Sequence, residues 1–69
     1  MDITAYLKAK ELSQEAFAKQ IGVSQGLVWQ WISGKTRITA ERAIEIEEKT
    51  DGAIRREQLR PDVFEVRAA

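Results

Sequence analysis

The sequence predicts an all-α fold of five short helices containing a helix-turn-helix. Three observations carry this. Asp2, Ser13, Ser24 and Thr39 are short polar residues suited to open a helix, and each precedes a stretch of helical apolar spacing or preference. Gly22 and Gly34 fall where two of those stretches end. The stretches on either side of Gly22-Val23-Ser24 are short and joined by a tight glycine-containing turn, as a helix-turn-helix requires. The alternative is an α+β fold with a C-terminal β-hairpin, because Ile44 and Ile46 alternate and Asp51-Gly52 is a type I′ turn signal. Helices are favoured there, since Thr39 caps well and Ala40, Glu41, Ala43, Glu45, Glu47, Glu48 and Lys49 have helical or neutral preference.

The first helix opens at Asp2 and places Ile3 and Leu7, and Tyr6 and Lys10, four apart. The second runs from Gln14 to Gln20, with Glu15 in its first turn, where the helix dipole favours a negative charge. Phe17, Ala18 and Ile21 form its inner stripe. Val23 plugs the turn, and the third helix spans Gln25 to Ser33. Val28, Trp31 and Ile32 point inward with Leu27 beside them, which places Trp31 in the core. The fourth helix covers about Ala40 to Lys49, with Glu45 and Lys49 as an i,i+4 pair. Asp51-Gly52 ends it, Ile54 to Leu59 suits a short fifth helix, and Pro61 limits that one. Residues 61–69 are a C-terminal tail to a single domain spanning 1–69. Val63, Phe64 and Val66 are too apolar for a free tail, and are expected to pack on the fourth and fifth helices or on a partner subunit.

Composition removes several function classes. With 69 residues there is one domain at most, and its core is small. No cysteine and no histidine means no disulfide, no zinc site built on them and no Cys- or His-based catalysis. No catalytic residues, metal ligands or cofactors are expected, and no small-molecule substrate. Glu41, Glu45, Glu47 and Glu48 read as a solvated helix face rather than paired catalytic carboxylates, because one exposed helix offers no pocket. No apolar run or signal peptide is visible, so the expected location is the cytoplasm, away from membranes.

Charge is distributed unevenly. The 11 basic and 11 acidic residues cancel, which taken alone argues against a nucleic-acid partner. Yet no acid lies between Glu15 and Glu41, while Lys19, Lys35 and Arg37 do. The outer face of the third helix, by contrast, is neutral: Gln25, Gly26, Trp29, Gln30 and Ser33. A neutral hydrogen-bonding face flanked by cations suits a helix that meets base edges while the flanks meet phosphates.

The segment SQEAFAKQIGVSQGLVWQWISGK resembles the helix-turn-helix of Cro and cI-type phage repressors. Gln14, Ala18, Gly22, Val23, Ser24, Gln25, Val28 and Trp31 fall on that pattern, and the Leu-Arg-Pro-Asp ending resembles a Cro-like prophage subgroup. The resemblance implies a lambda-repressor-like domain that binds operator DNA as a transcriptional repressor. It implies base contacts from Gln25, Gly26, Trp29 and Gln30. Phosphate contacts are expected from Gln14, Ser24, Lys19, Lys35, Thr36 and Arg37. Trp29 stands where many members carry small or polar residues; it has protein neighbours, DNA and a dimer partner as possible contacts. Two copies are expected to read half-sites about one helical turn apart, as a weak homodimer strengthened on DNA. The competing reading is an antitoxin-like protein-interaction module that binds DNA secondarily.

Overall fold

A computed structural model describes residues 2–64 of the chain. It contains helices α1 (Ile3–Lys10), α2 (Gln14–Ile21), α3 (Gln25–Ser33), α4 (Ala40–Lys49) and α5 (Arg56–Leu59), with no strand among the described residues. The fold is therefore all-α, and the hairpin alternative does not occur there.

The helix starts follow from the polar residues that precede them. Asp2 Oδ1 accepts from the Ala5 N–H at 2.7 Å, and Ser13 Oγ from the Ala16 N–H at 3.1 Å. Ser24 Oγ accepts from Leu27 and Thr39 Oγ1 from Arg42, both at 3.2 Å. Each cap satisfies one otherwise orphaned amide, at a typical worth of about 1 kcal/mol. Gly22 ends α2 at φ +87° and Gly34 ends α3 at φ +80°, both in the left-handed region. The turn closes with the Gly22 and Val23 amides donating to the Ala18 carbonyl at 2.8 and 2.9 Å.

The core gathers one face from each of α1 to α4. Phe17, Val28, Ile46 and Ile54 are fully buried, joined by Ile3, Tyr6, Ala18, Ile21 and Trp31. Tyr6 and Phe17 meet edge to face with centroids 5.8 Å apart. Such a pair is worth about 0.5–1.5 kcal/mol beyond its area burial. Gln20 Nε2 donates to both the Tyr6 hydroxyl (3.2 Å) and the Lys49 carbonyl (2.7 Å), tying α1, α2 and the end of α4 together.

The fifth helix begins later than its sequence suggests. Asp51 (φ +56°) and Gly52 (φ +81°) adopt the two positive φ values that a type I′ turn needs, but the pair terminates a helix instead of joining strands. Thr50 Oγ1, buried, donates to the Ile46 carbonyl at 2.7 Å and accepts from the Ile54 N–H at 3.2 Å. That clamp turns Ile54 into the core before α5 starts at Arg56. Glu47 then holds the start of α5, accepting from the Arg56 backbone N–H at 2.7 Å and from its guanidinium at 3.3 and 3.2 Å. Phe64 folds back so that the Arg56 guanidinium carbon lies 5.6 Å from its ring centroid. Val63 is exposed, and Val66 lies outside the described residues.

Candidate nucleic-acid interface

Helix α3 is amphipathic in an unusual sense: its inner side is apolar and its outer side uncharged. Val28 and Trp31 are buried, with Leu27 and Ile32 partly so. Gln25, Gly26, Trp29 and Gln30 are all exposed on the other side. Spacing of four sets Gln25 beside Trp29 and Gly26 beside Gln30.

Two contacts organise this face from the loop that follows. Lys35 Nζ lies 5.0 Å from the Trp29 ring centroid, a cation–π approach. Trp29, 46% exposed, thus has Lys35 as a protein neighbour and still offers open ring surface. Thr36 Oγ1 donates to Gln30 Oε1 at 2.9 Å, while the Lys35 and Thr36 amides donate to the Gln30 carbonyl at 3.0 and 3.4 Å. The loop therefore holds the Gln30 side chain by its oxygen and leaves its amide NH2 as a donor. Ser24 accepts from Leu27 through its hydroxyl oxygen and retains its own proton to donate.

Gly26 differs in kind from the glycines that end helices. It is helical, and a Cβ placed on it would find only Ser24 Oγ, at 4.0 Å. Neither backbone handedness nor internal crowding requires glycine here.

The other expected residues are less tightly grouped. Gln14, half-buried, is the first residue of α2, and exposed Lys19 lies in its last turn. Neither forms a hydrogen bond or ion pair with the α3 group among the described residues. Arg37, whose side chain is 73% exposed, pairs loosely with Asp62, Nη2 to Oδ2 at 3.7 Å.

Sequence reasoning missed Arg60 and Asp62. Arg60 Nε and Nη2 donate to Asp62 Oδ1 and Oδ2 at 2.9 and 2.8 Å, and Nη1 donates to the Ile38 carbonyl at 2.9 Å. Hydrogen bonding from Arg60 is the main reason the Asp62 carboxyl drops from its ordinary 3.8 to about 2. The same bonds raise the Arg60 guanidinium. The available signal was the Arg60-Pro61-Asp62 run itself: opposite charges two residues apart across a proline that stops the helix.

No group of His, Cys, Asp and Glu able to hold a metal ion occurs among the described residues, and no helix there is long and apolar enough to cross a membrane.

Residues 9–67 match the family described as "Bacterial toxin YdaS". The chain belongs to this family. The YdaS-family match begins inside α1 and takes in the whole helix-turn-helix together with Arg60 and Asp62. The chain is also 46% identical over 50 residues to YdaS of Escherichia coli (strain K12), a transcriptional regulator by provisional name. That alignment covers 72% of this chain and 51% of the relative, so the chain spans about half the length of the curated relative it matches. No solved structure matches.

Proposed function

We propose that this YdaS-family chain is a sequence-specific double-stranded DNA-binding regulator that represses transcription in the manner of Cro-like prophage repressors. The observation that carries the reading is the outer face of α3: exposed, neutral, rich in hydrogen-bonding amides, with a glycine that nothing inside the molecule requires. Gln25, Gly26, Trp29 and Gln30 are assigned to base edges. Ser24, Lys35, Thr36 and Arg37 are assigned to the phosphates beside them, with Gln14 and Lys19 as contacts from α2. The name of the Escherichia coli relative supports a regulatory role. Residues 1–69 act as one DNA-binding domain in the cytoplasm, without catalysis. Two copies pair weakly alone and more firmly on DNA, because one short helix reads too few base pairs for tight operator binding.

The test has two stages. Retention on duplex DNA should depend steeply on salt and survive unrelated competitor DNA. Selection of bound sites from random duplexes should then yield a two-fold symmetric consensus. In that background Gln25→Ala should lose discrimination at one base pair per half-site, at roughly 1–3 kcal/mol, with unrelated DNA bound as before. Equal loss on all sequences would remove Gln25 from base reading.

A second reading has a specific finding behind it, the family's description as a toxin. In it the chain acts through a protein partner, as the antitoxin-like alternative also supposes, and binds DNA secondarily. Growth arrest on expression that persists in a variant unable to bind DNA would favour it.

A further inference from the structure

Asp62 brings a carboxylate to the loop that follows α3, where the sequence between Glu15 and Glu41 has none. Its two oxygens are unequal. Both accept from Arg60, whose remaining terminal nitrogen is bonded to the Ile38 carbonyl and whose side chain is only 15% exposed. Arg60 and Asp62 are therefore fastened to the loop backbone. Arg37 is not: its contact with Oδ2, at 3.7 Å, is beyond hydrogen-bond reach, and that oxygen already serves Arg60.

We infer that Asp62 sets the strength of DNA binding, by holding Arg37 in a weak ion pair that a DNA phosphate must break. The inference rests on the DNA-binding reading above. A phosphate offers Arg37 short, charge-assisted bonds that Asp62 does not. When Arg37 leaves, Asp62 cannot follow, because Arg60 grips it at both oxygens. The pair is therefore lost when Arg37 takes a phosphate, and what it contributed is subtracted from binding. Phosphates occur in every sequence, so Asp62 lowers affinity for all DNA alike and leaves discrimination to the α3 face.

The experiment uses the full chain and a mixed-sequence duplex, with binding followed by fluorescence anisotropy at low salt. Asn at position 62 keeps an oxygen for Arg60 but loses the charge. Asp62→Asn should bind about two- to fivefold tighter than the parent, a gain that fades as salt rises. Arg37→Ala should bind more weakly, and adding Asp62→Asn to it should restore little, since the two act through one pair. A purely structural Asp62 would give the opposite sign, weaker binding together with a lower melting temperature, and that result overturns the inference. An equal gain with and without Arg37 also overturns it. Should Asp62→Asn not fold, side-chain NMR of the unaltered chain decides: DNA should move the Arg37 guanidinium signal and leave that of Arg60. Movement of both, or of neither, defeats the idea. Absence of any salt-dependent binding by the parent chain is the distinct failure of the DNA-binding reading, and the inference falls with it.

Discussion

Gly26→Ala separates the two requirements that meet on α3. The change adds one methyl group to an exposed helical position. Its nearest new neighbour would be Ser24 Oγ at 4.0 Å, an ordinary contact, so no clash offsets the gain in helix propensity. Alanine is better than glycine in a helix by roughly 0.5–1 kcal/mol. Gly26 is the second residue of α3, within its first turn, so about 0.5 kcal/mol is the reasonable figure. For a domain of this size that corresponds to a melting temperature higher by about 2–4 °C. The same methyl stands on the face assigned to base edges, between Gln25 and the Trp29–Gln30 pair, where it would hold the helix away from the groove floor. Loss of a base-pair contact costs roughly 1–3 kcal/mol, or about fivefold to 150-fold in affinity for a selected site. Thermal unfolding by circular dichroism and anisotropy titration of the same preparation read the two quantities side by side. A variant that melts higher and binds the selected site as tightly as the parent would refute the reasoning, since glycine would then have no external purpose. One that melts lower would refute the local account of α3.

Three further outcomes are expected. Trp31→Ala should cost roughly 3–5 kcal/mol in urea denaturation, whereas Trp29→Ala should cost about 1 kcal/mol or less, mainly its contact with Lys35; equal losses would reverse the assignment of the two faces. Lys35→Ala should weaken binding to every duplex and lower the salt slope by about one unit per subunit, and an unchanged slope would move that phosphate contact elsewhere. Stability should fall in acid, because Glu47 is held below its ordinary 4.5, chiefly by the Arg56 side-chain and backbone bonds, and Asp62 is held at about 2. Depressed carboxyls stabilise the fold above their unfolded values and lose that contribution as pH falls through their folded ones, so melting temperature should drop from about pH 4.5 toward 2. Glu47→Gln should flatten the upper part of that fall, and a profile identical to the parent's would show that Glu47 contributes nothing.

What was legible in the sequence was local. Four helix caps, two left-handed glycines and the inner stripe of α3 each depend on residues within a turn or so of one another, and all appear as read. The Asp51-Gly52 signal was correct in conformation and ambiguous in use, because two positive φ values suit a hairpin and a helix end equally. Ile54 falls inside the expected fifth helix, Ile54 to Leu59; the Thr50 clamp, which needs a buried hydroxyl, diverts it into the core before α5 begins. Of the candidate site, the exposure of the α3 face followed from periodicity. The contacts that shape it did not. Arg60 reaches Ile38 across 22 positions, and no periodic pattern records a bond of that span. Asp62 is likewise far from Arg37 along the chain, although folding makes them neighbours.

Gly22 and Gly34 bracket α3, and the space around each is empty: a Cβ there would meet no atom within 4 Å. What bars other residues is therefore chirality alone. The ordinary L side chain is strained at those φ values, while its mirror image is at rest in them. A chemically synthesised chain carrying D-alanine at position 22 or 34 should thus fold, and should do so with a stiffer unfolded state than the natural chain. Both joints of α3 are places where inverting one stereocentre leaves the geometry of the helix face unaltered. Such a chain would also resist proteolysis at those two connections.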